Sequence, residues 1–186
     1  DSVIYCVDDN EETPLHKAIS TAMAQTLLDG LTSLTKRQFI RHKNKLGKTV
    51  LHILGESDRV ELAHMIIRSA DRRDSDSFIY CVDCLGETPL HKAVSPAMAQ
   101  TLLDGVTSHL RQQFIKHTDW EGGTALHRVG QWDGVEIADL IIRSADSENR
   151  DSVIYCVDGD GETPLHQAVS TAMAQTLLDG LTPLTK

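Results

Sequence analysis

A four-residue signature, Thr-x-Leu-His, returns along the chain at fixed intervals. It stands at Thr13-Pro14-Leu15-His16, Thr49-Val50-Leu51-His52, Thr88-Pro89-Leu90-His91, Thr124-Ala125-Leu126-His127 and Thr163-Pro164-Leu165-His166. The spacings are 36, 39, 36 and 39 residues, so five units alternate within a longer period of 75. Self-similarity on this scale marks stacked modules, each unable to bury its apolar face alone, rather than one globular core. The length of 186 residues therefore counts modules, not domains.

Bulk properties narrow the function classes. Hydrophobic residues make up 40% of the chain but aromatics only 4%, which suits small aliphatic side chains between closely spaced helix pairs. A formal charge of −9 lacks the dense basic face that phosphate binding needs, so nucleic acid is not an expected partner. No apolar run reaches the roughly 18 residues that a membrane span requires. The opening Asp1-Ser2-Val3 has no basic region of a signal peptide. It also lacks an initiator Met, which reads as a fragment, a processed product or a trimmed segment.

Each residue of the signature has a physical task. Thr is a helix N-cap, its hydroxyl placed to accept an N–H of the first turn. Pro at the next position loses nothing by lacking an N–H. Leu points into the core, and the imidazole can tie neighbouring backbone together. The pattern resembles the ankyrin repeat, over nearly the whole chain. The resemblance implies an all-α ankyrin-repeat solenoid of stacked helix-turn-helix modules, with β-turn fingers and extended inter-repeat loops. It also implies that His16, His52, His91, His127 and His166 make structural hydrogen bonds between units. Histidine is the commonest catalytic base and metal ligand, but five copies at like positions place like groups in a row, whereas a catalytic site needs unlike groups converging. With no Gly-rich phosphate loop, nucleophile triad or metal spacing, no enzyme activity, cofactor or metal is expected.

The expected array covers residues 1–186, with repeats near 6–36, 40–70, 79–108, 115–145 and 154–186. In the even repeats Thr49 to Leu54 opens a first helix, Gly55 to Arg59 turn the chain, and Val60 to Ile67 form the second, with Val135 to Ile142 its copy. The odd repeats are two residues shorter between motif and second helix, and Ser-x-Ala-Met replaces the family's Gly-His turn. That turn is tighter, or the second helix begins differently. Fingers precede each motif, with Gly47, Gly86, Gly122 and Gly161 at a position that requires positive φ. Repeat 1 carries Glu11 there, so a strained or rearranged finger is expected. The linkers exceed the family norm: Ser33 to His42 and Ser108 to His117 read as an extra helical turn anchored by Phe39 or Phe114. Asp71 to Ser77 and Asp146 to Ser152 read as solvated polar loops.

Cys6, Cys81 and Cys156 recur in Ile-Tyr-Cys-Val-Asp, two repeats apart and beyond the ~7 Å Cα limit for a disulfide. They read as small buried hydrophobes. Cys84 completes a lone Cys-x-x-Cys with Cys81, open to a redox or half-zinc reading, but no second pair stands at a useful spacing.

Residues 1–36 and 151–186 differ at six positions: Asp9/Gly159, Asn10/Asp160, Glu11/Gly161, Lys17/Gln167, Ile19/Val169 and Ser33/Pro183. Recent duplication and design from a consensus both explain such likeness, and Cys84 and Trp132 favour a natural array that has drifted. Variation falls on the finger tips and on the residue after each motif, the places that line the family's concave face. Drift at exposed positions gives the same pattern. Carried over position by position, the candidate protein-binding residues are Lys17, Lys45, Leu46, Ile53, Leu85, Lys92, Trp120, Glu121, Arg128 and Trp132. Trp120 stands at a tip where no core can bury it, and Trp is enriched in interface hot spots. The resemblance implies a non-catalytic scaffold that binds a protein or peptide partner. The competing reading is a structural spacer, or an engineered, self-associating scaffold. Neither end carries a polar capping repeat, so a segment of a longer array, or end-to-end self-association, is expected. Arrays of this family are widespread in eukaryotic cytoplasm and among the host-directed proteins of intracellular bacteria, which points to an intracellular location.

Overall fold

The computed structural model describes residues 6–70 and 75–182. Its helices are α1 (Thr21–Leu28), α2 (Ser33–Arg41), α3 (Val50–Glu56), α4 (Val60–Ser69), α5 (Ser75–Ile79), α6 (Pro96–Gly105), α7 (Ser108–Ile115), α8 (Ala125–Gln131), α9 (Val135–Ser144), α10 (Arg150–Ile154) and α11 (Thr171–Gly180). Among the described residues no strand pairing exceeds one isolated bridge, Thr118–Thr124. The second helices α1, α4, α6, α9 and α11 stack one on the next. One continuous core runs through the stack, from Leu15 and Leu28 through Leu51, Ile66, Leu102 and Leu126 to Ile141 and Leu177.

Odd and even repeats differ because their local sequences differ. In the even repeats the signature opens a true helix, α3 or α8, whose Thr and His form a capping box with His in the place usual for Glu or Gln. α3 runs on to Glu56, past the expected turn start at Gly55. In the odd repeats the same signature yields a single turn, at 14–17, 89–92 and 164–167. The Ser of Ser-x-Ala-Met then caps the second helix: Ser20, Ser95 and Ser170 accept the N–H of Met23, Met98 and Met173. Of the two expectations for this turn, it is the second helix that begins differently, at a Ser N-cap; the turn is no tighter, and the two-residue deficit falls on the first helix instead. The caps also join repeats, since the hydroxyls of Ser95 and Ser170 donate to Asp58 and Asp133 in the preceding even turns. Those aspartates take φ of 52° and 63°, a conformation Asp tolerates better than most residues.

The linkers carry more structure than expected. Phe39 and Phe114 are fully buried as anchors, but each anchors a two-turn helix, α2 or α7, rather than one extra turn. The polar-loop reading of Asp146 to Ser152 is corrected from Arg150 onward, where α10 begins, because Val153 and Ile154 give that segment an apolar face to bury. Its copy α5 begins at Ser75 and buries Phe78 and Ile79; Asp71 to Asp74 lie outside the described residues. Both short helices hold the next element: Asp76 accepts from the N–H and hydroxyl of Thr107 at 2.7 and 2.9 Å, and Asp151 from those of Thr182 at 3.0 and 2.8 Å.

The cysteine reading is also corrected. Cys6 is exposed, Cys81 and Cys156 are half-buried, Cys84 is exposed, and all four are free thiols. Phe78 and Ile79 take the core positions of α5, which leaves Cys81 at its edge with its thiol donating to the carbonyl of Ser77.

Candidate interaction surface

Each finger is closed by its own side chain. An Asp or Asn opens the turn, and its Oδ1 accepts the N–H groups two and four residues on. Asp83 holds Leu85 and Glu87 in this way at 2.9 and 3.0 Å, and Asp119 holds Glu121 and Gly123, both at 2.9 Å. Asp8, Asn44 and Asp158 repeat the arrangement. The glycine expected at positive φ has it in all four fingers, with Gly86 at 77° and Gly122 at 80°. Glu11 adopts 61° and keeps the same turn, its N–H donating to the Asp8 carbonyl at 2.9 Å, so the first finger is strained but not rearranged.

Neighbouring fingers are joined through their tips. Lys45 N–H donates to the Asn10 carbonyl, Cys84 to Leu46, Trp120 to Leu85 and Gly159 to Glu121, at 2.7 to 3.0 Å. Behind them stand the motif histidines. In each repeat the Thr N–H donates to the histidine Nδ1 three residues on, at 3.1 to 3.2 Å. An Nδ1 that accepts leaves the proton on Nε2. That Nε2–H donates across the repeat boundary to the carbonyl just before the next Thr: His16 to Lys48, His52 to Glu87, His91 to Gly123 and His127 to Glu162, at 3.0 to 3.3 Å. The inter-repeat role implied for these four histidines is thus present. Burial pushes His52 and His91 down to about 4, and lowers His16 and His127 in the same direction. A second latch went unread in the sequence. Nε2–H of His42 and His117 donates back to the carbonyls of Glu11 and Gly86, each at 2.9 Å.

Beneath the tips a row of long side chains braces the fingers. Arg128 bonds Asp119 at 2.7 Å and Glu121 at 3.0 Å, and lies 3.4 Å from Glu87 of the preceding repeat. Lys92 is mostly buried, paired to Glu87 and 3.7 Å from Asp83. Lys17 pairs with Glu12 and, at 3.4 Å, with Asp8, and it is exposed. Gln167 takes the same place in repeat 5 and donates to Asp158 at 2.9 Å. The brace recurs nine residues after the finger Asp, a spacing visible in the sequence though not used there. Ile53, nine residues after Asn44, is half-buried and uncharged.

The other candidates divide cleanly. Lys45, Leu46, Leu85, Trp120 and Glu121 are exposed at the tips. Trp120 is 74% exposed yet fixed: its Nε1–H donates to the Cys84 carbonyl at 3.0 Å and its ring lies over Gly86. Trp132 stands apart, at the C-terminus of α8, beside a groove of 260 Å³ with Val94, Pro96 and Val135. A larger groove of 500 Å³ separates the fingers of repeats 4 and 5, lined by Trp120, Glu121, Arg128, Asp158, Asp160 and Gln167 among others. Among the described residues no cluster of His, Cys, Asp or Glu could hold a metal ion, and no helix is long and apolar enough to cross a membrane.

This geometry is that of an ankyrin repeat domain. The chain is similar to the ankyrin repeat domain of Bcl-3, described as a unique member of the IkappaB protein family, with a TM-score of 0.73 at 23% identity. The match covers 94% of this chain and 71% of that one. No protein-family model matches the chain, and comparison with curated proteins finds no match. The ankyrin fold is therefore established by structure.

Proposed function

We propose that residues 1–186 form a single ankyrin array acting as a non-catalytic interaction scaffold, with a polypeptide partner held against the finger edge. The observation that supports this is the division of labour along that edge. Lys17, Lys92 and Arg128 brace the fingers from beneath, while Leu46, Leu85 and Trp120 project outward without any core to join. A tryptophan pinned by its own hydrogen bond loses little entropy on meeting a partner, the property expected of an interface anchor. Four free thiols, two of them exposed, suit a reducing intracellular setting.

The spacer reading draws on the near-identity of repeats 1 and 5, yet their differences gather at the tip positions 9–11 and 159–161. Capture of partners from cell lysate on the intact chain, beside a Leu85→Ser/Trp120→Ala variant, separates the two readings. A protein held by the parent and lost by the folded variant supports the scaffold. Equal recovery from both removes the finger edge as the binding face.

A further inference from the structure

We infer that the occupant of the finger edge is an extended amphiphilic peptide: an acidic residue against Lys45, apolar residues over Leu46, Leu85 and Trp120, and a basic residue between Trp120 and Asp160. This rests on the reading that the fingers bind a polypeptide, and it specifies the chemistry of that polypeptide.

Three observations carry the inference. The tip N–H groups of Lys45, Cys84, Trp120 and Gly159 are already bonded to neighbouring tips, so these amides are not free to pair with an added strand. Recognition at the tips therefore falls to side chains.

The charges along the edge are not uniform. On the second finger Lys43 donates to the Val82 carbonyl and Lys48 pairs with Glu56, which leaves Lys45 as that finger's unpaired exposed cation. Lys45 calls for a carboxylate. On the fifth finger the carboxylate of Asp160 is exposed and unpaired, whereas Asp158 beneath it is held by Gln167. The tips thus alternate in sign, from the exposed carboxylate of Asp9 on the first finger through Lys45 on the second to Asp160 on the fifth, which opposes a partner of single sign and complements one with charges of both signs, in order.

Trp120 joins the two halves. One face of its indole is closed by Gly86, whose hypothetical Cβ would stand 3.0 Å from the ring, and its Nε1–H is taken by Cys84. The remaining face is open, beside the Glu121 carboxylate, exposed though shared with Arg128, and the groove that reaches the unpaired carboxylate of Asp160. An indole face flanked by carboxylates takes a guanidinium or ammonium group by cation–π and Coulomb attraction together. Leu46 and Leu85 lie along the same row of tips and offer contact to apolar residues.

The test uses a random dodecapeptide library displayed on phage, each peptide spanning about 40 Å when extended. Selection is made on the intact immobilised chain. Each enriched peptide is then measured by fluorescence anisotropy on the parent, on Trp120→Ala and on the charge swap Lys45→Glu/Asp160→Lys. Circular dichroism checks that each variant keeps its helices, which is expected because all three side chains are exposed. The expected peptides carry an acidic and a basic residue separated by apolar ones. They bind about tenfold or more weakly to Trp120→Ala, and comparably more weakly to the charge swap. Peptides that lose affinity on Trp120→Ala but ignore the charge swap, or lack the charge order, overturn the inference and leave the scaffold reading intact. No enrichment, or enriched peptides indifferent to Trp120→Ala, overturn both.

Discussion

Repeats 3 and 5 carry the same Thr-Pro-Leu-His and the same Met-Ala-Gln-Thr-Leu-Leu-Asp-Gly, yet their side chains stand in different environments. Leu90 is 2% exposed and its copy Leu165 38%; Leu103 is 1% exposed and Leu178 42%. His91 is buried and latched to Gly123, while His166 is exposed and keeps only its local bonds to Thr163. The difference lies in what comes next: repeat 4 closes over repeat 3. A repeat thus specifies half of an interface, and its stability belongs to the junction. The largest expected effect breaks this comparison at the apolar layer. Leu103→Ala is expected to cost about 2–5 kcal/mol and Leu178→Ala under about 1, read from urea midpoints. Equal losses would mean that repeat 5 is covered in solution.

The polar layer gives the next effect. Removal of His91 strands the Thr88 N–H and the Gly123 carbonyl in a buried setting, so His91→Ala is expected to cost about 2–3 kcal/mol, and His166→Ala under about 1. The same junctions set the pH response. His52 and His91 are held neutral in the fold, down to about 4, whereas the unfolded chain takes up protons near 6.5. The unfolded state therefore binds more protons below that point, and stability is full above about pH 6.5 and falls as pH drops toward 4, by on the order of 3 kcal/mol per histidine. Below this window Asp8, Glu12 and Asp158, whose carboxyls are lowered first by backbone bonds or by Lys17, act in the same direction. His52→Gln should flatten the upper part of the curve in denaturant melts taken from pH 7 to 4.

Much of this was legible in the sequence because it rests on local chemistry repeated five times. The Thr caps of α3 and α8, the glycines at positive φ and the histidine row follow from residue type and spacing, whereas in the odd repeats the expected Thr cap has no helix to close. Other parts depend on contacts between elements. α2 is rich in Lys, Arg, Gln and Thr, and only Phe39 and Ile40 are buried, so no helical stripe announces it. α5 and α10 are five residues each, too short for a period to show. Lys92 and Arg128 occupy positions that resemble an exposed face, and only the fold brings Asp83 and Asp119 beneath them. The tips Leu46, Leu85 and Trp120 read correctly as exposed because a two-residue turn tip has nothing above it.

The fingers of repeats 3 and 5 sharpen the comparison at smaller scale. Gly86 sits at φ 77° with the Trp120 ring 3.0 Å from where a Cβ would stand, and Gly161 at φ 79° with open space around it. Gly161→Ala is expected to cost about 1 kcal/mol, from backbone strain alone. Gly86→Ala adds displacement of the indole, so it should cost about 2 kcal/mol and shift the tryptophan emission, whereas Gly161→Ala leaves the emission unchanged.

Repeat 1 supplies the smallest effect and the only one expected to stabilise. Its finger has the same Asp8 turn as the others, but Glu11 stands at φ 61° where they have glycine. Among the described residues nothing bonds the Glu11 carboxylate, and the latch from His42 reaches only its backbone carbonyl, at 2.9 Å. Glu11→Gly removes the left-handed strain and keeps that latch. Against it stands the greater freedom of glycine in the unfolded chain, which offsets part of the gain. The balance is expected to raise stability by about 0.5–1 kcal/mol, seen as a higher urea midpoint at unchanged slope. A lower midpoint would mean that the Glu11 side chain, rather than the turn it distorts, contributes to the first finger.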